Sequence, residues 1–356
     1  MKKHFVLIMN IVLVVLILGA VGFTAYKMLT RGNTPSSDDK SATPASVSGV
    51  STEYPSVDPS ERYKIGIVQH YNNADSNDCY AGFISELNER GLVGNIDVVY
   101  VIEEDKDRCK SDIQRLIDEK CDLICAIGPY AAKAAAGLTE EIPIVFAGVS
   151  DPEKEGLVAS NENPGGNVTG VSSYPPTFEQ ISLIKTLLPQ TKTCATLYSS
   201  TDENAVTQAI LAEDKAEEHG MTMQRCPITK AEEIKTACED IKKNGVQAVF
   251  RPADAFILKH IDTILKFTDA NKIPVYVGNE KMLKEGAFAT CSINYTSIGR
   301  MAAVQSCDIL FGKSNPATLQ VVYKHDCYNL VNKSSMDALG IALNQTALDQ
   351  VQVKEY

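Results

Sequence analysis

From Tyr63 onward the chain alternates short, almost unbroken apolar runs with amphipathic stretches of helical length, and it does so twice. In the first half YKIGIVQH (63–70), IDVVYVIEE (96–104), LICAIG (123–128) and IPIVFAGV (142–149) are separated by helical patterns at 76–90, at 108–119 and from Tyr130. A strand that is apolar at nearly every position is covered on both faces, which predicts a parallel sheet with helices on either side. The second half repeats the order with TCATLYSS (193–200), MTMQRCPI (221–228), AVFRPA (248–253) and IPVYVGN (273–279), with helices predicted at 203–219, 230–243 and 255–270. The pattern predicts an α/β fold of two doubly wound parallel-sheet lobes with a cleft between them. After Ala287 the chain still offers AFATCSIN, a helix at 296–311, a strand LQVVY and a short helix at 334–341. These elements must return to complete both sheets, so the chain crosses between lobes and forms a hinge. The Gly-rich PGGNVTG (164–170) reads as a turn between the lobes, because it enters a strand whereas a phosphate cradle opens a helix.

Phe5 to Tyr26 carries no charge and one strongly polar side chain, Asn10. At ~1.5 Å per residue this run crosses a bilayer core of ~30 Å. It exceeds the ~7–15 apolar residues of a signal peptide, and Thr24-Ala25-Tyr26 is a poor cleavage site. An uncleaved transmembrane anchor over 5–26 is therefore preferred to a cleaved signal, placing the following domain outside the cytoplasm at the cell membrane. No cysteine precedes Cys79, so a lipid-modified cysteine near the N-terminus is missing. Residues 27–62, rich in Ser, Thr, Pro and Asp without apolar periodicity, read as a flexible linker.

Four of the 34 basic residues, Lys2, Lys3, Lys27 and Arg31, flank the apolar run, leaving 30 against 45 acidic residues beyond it. That balance argues against nucleic acid as a partner. The ten cysteines begin at Cys79, and several, including Cys125, Cys194 and Cys291, fall inside apolar runs. They read as buried thiols acting as small hydrophobes, and so many of them outside the cytoplasm point to a reducing habitat. Cys121-x3-Cys125 has no nearby His, so no metal site is expected.

In open parallel sheets ligands bind beyond the carboxyl ends of the strands. That rule selects Gln69 and His70, then Gly128 and Tyr130, then Ser150 and Asp151 in the first lobe. In the second lobe it selects Ser199, Ser200 and Asn204, then Asp254 and Phe256, then Asn279. Hydroxyls, amides, carboxylates and rings together suit a zwitterion such as an amino acid. Each residue also has a plain structural reading. Ser150-Asp151-Pro152 can cap a helix, Asn204 can sit in a first turn, His70 can be a satisfied strand-end residue, and Phe256 can be core beside His260 and Ile264. No G-x-S-x-G, H-E-x-x-H or G-x-x-x-x-G-K-[ST] pattern occurs, so neither an enzyme nor a cofactor is expected.

KIGIVQH, IPIVFAGVSDP followed by GLV, NPGGNVTGVS, ISLIKTLLPQTKT, LYSSTDENAV, NKIPVYVG, EGAFAT and the helix opened by NYTSIGRMAA resemble, in order, the ABC transporter substrate-binding proteins of the tryptophan/tyrosine type. The resemblance covers Tyr63 to about Leu343. It implies a type I periplasmic-binding fold with a first lobe of residues 63–172 and 294–318 and a second of 173–293 and 319–356. It implies solute capture between closing lobes for an ABC importer, a permease and an ATPase as partners, and an amino acid, often aromatic, as ligand. A membrane-anchored ligand-sensing domain for signalling is the alternative. By position Ser150, Asp151, Ser200, Asn204 and Asp254 match polar cleft positions of the family. The chain departs at Pro129-Tyr130 in place of Thr-Pro, at Ala253 and Ala255 in place of Thr and Asn, and at Asn279 in place of Glu.

Overall fold

The computed structural model describes residues 61–323 and 326–356, so the apolar run at 5–26 and all but the end of the linker lie outside the described residues. Among the described residues no helix is long and apolar enough to cross a membrane.

The first sheet has the order β2-β1-β3-β4-β5, parallel throughout, with β1 Tyr63–Gln69, β2 Ile96–Ile102, β3 Leu123–Ile127, β4 Ile144–Val149 and β5 Val168–Ser172. Every residue of β3, LICAI, is buried, as a central strand covered on both faces requires. Helices α1 (Ala74–Glu89), α2 (Lys106–Asp118) and α3 (Pro129–Ala136) belong to this half of the chain.

The second sheet has the order β12-β11-β10-β9-β8-β6-β7. Its strands are β6 Thr193–Ser199, β7 Thr222–Ile228, β8 Ala248–Arg251, β9 Val275–Val277, β10 Ala289–Ile293, β11 Cys327–Asn332 and β12 Gln352–Lys354. Along β6 successive side chains alternate between two cores. Ala195 and Leu197 join one that contains α6 (Glu233–Lys243) and α8 (Ile261–Ala270), while Cys194 joins the other with α4 (Thr177–Leu187) and α5 (Glu203–Glu218). Helix α6 buries Ile234, Cys238 and Ile241, one stripe at helical spacing, against that first core.

Helix α10 (Tyr295–Leu310) follows a strand of the second sheet but packs in the first lobe. The sequence allows this because glycines stand where α10 meets α1. A Cβ added at Gly299 would lie 1.8 Å from the Cys79 carbonyl oxygen, and one added at Gly82 would lie 2.0 Å from that of Thr296. The two backbones touch. Arg300 on α10 then donates to the Glu89 carboxylate of α1, at 2.6 Å from one nitrogen, and stands 2.8 Å from Glu86.

The chain passes between the sheets three times: through Ser173–Pro176, at Asn294, and after Tyr323 on its way to β11. Three expectations are corrected. PGGNVTG is not the turn between lobes; Gly165, at φ +82°, turns the chain into β5, which is an edge of the first sheet. LQVVY forms only a bridge, Val322 to Val171, because the Leu319 carbonyl accepts from Thr169 Oγ1 and that of Gln320 from Gln305 Nε2 instead of joining a ladder. The helix expected over 255–270 is two, α7 (Ala255–Leu258) and α8, with His260 as the cap between them. β11 pairs antiparallel to β10 and escaped the sequence reading because only Leu330, Val331 and Asn332 of its six residues are buried.

Candidate functional site

The loops after β4, β8 and β9 and the first half of α5 meet the crossing segments around a cavity of about 270 Å³. From the first lobe come Ser150, Asp151 and Lys154; from the crossings Ser173, Tyr174, Pro175, Ile293 and Tyr295; from the second lobe Asn204, Thr207, Gln208, Ala253, Gly278 and Asn279. Two of these are charged, Asp151 and Lys154.

Asp151 Oδ1 accepts from the Lys154 backbone N–H at 3.1 Å, holding the turn that carries both side chains. Lys154 Nζ reaches Glu203 Oε2 at the start of α5, 2.5 Å away, linking the two lobes. That hydrogen bond raises the Lys154 pKa. The pair is largely exposed, so it is worth little by itself and can be exchanged for another anion. Gln208 is buried, and its Oε1 has no protein partner. A buried acceptor without a donor is costly, and here it borders the cavity. Asn279 caps α9 (Glu280–Lys284) by accepting from the Met282 N–H with Oδ1, so its NH2 is the group it can offer a ligand. Burial pushes the Tyr295 phenol well above its ordinary value and raises that of Tyr174, keeping both as neutral hydroxyls.

Of the residues selected from the sequence, Ser150, Asp151, Asn204 and Asn279 line this cavity, and the other eight do not. Gln69 is buried, donating to Tyr71 O and Asn77 Oδ1 and accepting from Tyr100 Oη at 2.7 Å. His70 is buried with Nδ1 2.9 Å from the Glu103 carbonyl and its ring against Tyr130. Tyr130 donates to the Lys106 carbonyl at 2.9 Å, and Gly128, at φ +88°, makes the turn that starts α3. Ser199 Oγ pairs with Thr201 Oγ1 and Ser200 Oγ with Thr229 Oγ1. Asp254 is an internal cap, accepting from Ile257 N at 2.6 Å and Ser199 N at 3.1 Å. Beside it lies Arg251, fully buried, with Nε and Nη1 unpartnered; burial pulls its pKa down to about 10 against the pull of Asp254. Phe256 packs against the second lobe's core and edge-on to His260.

Lys154, Ser173, Tyr174, Thr207, Gln208 and Tyr295 are the chemical groups that strand-end reasoning missed. Asn204, Thr207 and Gln208 share one face of α5 at i, i+3 and i+4, and a polar stripe of that kind was the available signal. The crossing residues carried none, since nothing periodic marks where a chain changes lobes.

The sequence model of the ABC transporter substrate binding protein family matches residues 64–353. The chain belongs to that family. It is 29% identical over 295 residues to a tyrosine-binding protein of Clostridioides difficile, covering 82% of this chain and 85% of that one. Among solved structures it resembles the ligand-free, open form of a substrate-binding protein with adhesive properties from Clostridium difficile, with a TM-score of 0.75 at 27% identity over 82% of this chain and 99% of that one. It also resembles an ABC domain from Streptococcus pneumoniae in complex with L-Trp, at the same identity and coverages with a TM-score of 0.60. The family is one of ligand-binding proteins, and the relatives are of the tryptophan/tyrosine type that the sequence resembles.

Proposed function

We propose that the chain captures a single L-amino acid in this cavity, with an aromatic side chain beside Tyr174 and Tyr295, and hands it to an ABC permease and its ATPase for import. The observation that carries the reading is the cavity's polar set: one carboxylate, one exchangeable ammonium and one orphan acceptor within a space for one small molecule. The ligand ammonium is held by Asp151 and Gln208 Oε1. Its carboxylate takes Lys154 from Glu203 and accepts from Ser150, Ser173 and the Asn279 amide. At about 270 Å³ the cavity lies near the lower bound of small-ligand pockets, roughly 300–1,000 Å³. Relatives that bind tyrosine and tryptophan support the aromatic side chain. In this reading the domain works outside the cytoplasm, held at the membrane by residues 5–26.

Thermal-shift measurements on the protein with each L-amino acid test the proposal, because a ligand that binds only the native state raises the melting temperature. Tyrosine or tryptophan is expected to give the largest rise, and Asp151→Asn to abolish it. Stabilisation by sugars or anions with none from any amino acid would sink the reading.

A further inference from the structure

The outer N–H and C=O groups of an edge strand are a template for pairing with another strand unless something blunts them. Three of the four sheet edges here are blunted. β5 is covered by Val322, which accepts from the Ser172 N–H at 2.8 Å and donates to the Gly170 carbonyl at 3.0 Å. β7 carries Pro227 and an Arg225 ion-paired to Glu213. β12 is three residues long and ends on Lys354. The fourth edge, β2, is seven residues of IDVVYVI with no proline, no lysine and a single charge, Asp97. Its strand partner is β1, and among the described residues no other backbone group bonds to it.

The ladder shows which groups point outward. The Tyr63 N–H donates to the Asn95 carbonyl, and the Glu103 N–H donates to that of Gln69. Asn95 and Glu103 therefore turn toward β1, and by the alternation of a strand so do Asp97, Val99 and Val101. Ile96, Val98, Tyr100 and Ile102 turn their N–H and C=O groups away from the sheet. The edge is held in place, since the Tyr100 ring stacks on Tyr80 at 3.7 Å and its Oη donates to Gln69 Oε1 at 2.7 Å.

We propose that β2 is a homodimer interface, pairing antiparallel with β2 of a second copy about a twofold axis through Val99, so that the two first-lobe sheets become one. That register gives every outward group a partner: Ile96 faces Ile102 of the second copy and Val98 faces its Tyr100, both as hydrogen-bonded pairs. Charge favours it as well. Asp97 falls opposite Val101, whereas an axis through Asp97 would oppose two carboxylates. Exposed Ile102 ends the strand and exposed Val93 lies just before its start, so antiparallel pairing brings these two apolar side chains to the same end. A twofold contact uses up both β2 edges, and assembly stops at two.

Cross-linking of the full-length protein in detergent micelles, with no ligand, tests the interface independently of what the cavity binds. On the axis Val99 meets its own counterpart as a non-hydrogen-bonded pair with Cα atoms ~4.5 Å apart, within the ~4.4–6.8 Å that a disulfide spans. Val99→Cys should therefore give, on mild oxidation, a non-reduced band at twice the chain's mass that wild type lacks. Asp97→Cys, on the same face, should not, because its counterpart lies about 13 Å further along the strand. Val98→Pro removes an outward N–H and spares the ladder to β1. Sedimentation should show a dimer for wild type and a monomer for Val98→Pro with unchanged circular dichroism. A monomeric wild type, a dimer that survives Val98→Pro, or Asp97→Cys linking as well as Val99→Cys would overturn the proposal. A monomer whose Val98 and Tyr100 amides resist hydrogen exchange would overturn it too, and would give the edge to the chain's own residues 27–60.

Discussion

Gly299→Ala asks whether α10 is bound to the first lobe by backbone contact. The new Cβ would stand 1.8 Å from the Cys79 carbonyl oxygen, which belongs to the α1 backbone and cannot rotate away as a side chain would. Reaching an ordinary contact of ~3.5 Å requires the helices to separate by about 1.7 Å. A radial gap of only 0.5–1 Å already forfeits roughly a quarter to a half of each dispersion contact. Overpacking costs ~1–3 kcal/mol where side chains can adjust, and here a whole helix must move. Against this stands a gain of ~1 kcal/mol from replacing glycine by alanine within a helix. With the cost at the upper end of that range, the balance is a destabilisation of about 2 kcal/mol, or roughly 3 °C in melting temperature for a protein of this size. Differential scanning calorimetry measures it, with Gly94→Ala as the control, since a Cβ there meets nothing within 4 Å. Because Tyr295 begins α10 and lines the cavity, ligand affinity should fall in Gly299→Ala as well. A melting temperature equal to or above wild type would refute the reasoning, since it would mean that the propensity gain met no resistance.

Other outcomes follow from single residues. Asp254→Ala leaves the backbone N–H groups of Ile257 and Ser199 without their acceptor and Arg251 buried without its nearby carboxylate, so denaturant titration should show a loss of about 3–5 kcal/mol; adding Arg251→Met should restore part of it, and no restoration would remove Arg251 from the account. Gln208→Leu should raise the melting temperature of the ligand-free protein slightly, because a buried unpartnered oxygen is gone, while weakening the ligand by roughly 1–3 kcal/mol in isothermal titration. The hydrogen bonds from Arg300 and Ser85 hold the Glu89 carboxyl down at about 2. A depressed carboxyl stabilises the fold above its unfolded-state value and loses that contribution as pH falls through the folded one. Acid unfolding of wild type and Glu89→Gln should therefore differ near neutral pH and converge as pH falls toward 2; curves that stay parallel down to the lowest pH would contradict it.

The strands were legible because burial on both faces writes itself as continuous apolar sequence. β1, β3 and β4 fall within the runs that predicted them. Elements with one exposed side were harder, as β11 shows. The site was half legible for a related reason. The strand-end rule locates the edge of a sheet but not the part of that edge that faces the other lobe. Gln69, His70 and Tyr130 stand at such ends and satisfy one another or the backbone. Ser150, Asp151, Asn204 and Asn279 stand at such ends where the crossings converge.

That convergence bears on how binding and motion are connected. Ser173, Tyr174, Pro175, Ile293 and Tyr295 line the cavity and lie within or beside the segments that any hinge rotation must bend. A ligand touching them acts on the hinge itself. Moving a population from 1:99 open to 99:1 closed takes about 5.5 kcal/mol of preference for the closed form. Charge-assisted hydrogen bonds contribute ~1.5–3 kcal/mol each, so two or three that form fully only on closure are enough. In the proposed binding mode Asp151, Lys154 and Gln208 would make them. Lys154 bridges to Glu203 on the other lobe, so the net gain from a bond to the ligand carboxylate is reduced by the pair it gives up. The greater share of the closing free energy then falls to Asp151 and Gln208. Removing Lys154 should consequently lower affinity less than removing either of those two. Titrating Lys154→Met, Asp151→Asn and Gln208→Leu with the same amino acid gives that order directly, and Lys154→Met as the most damaging of the three would reverse it.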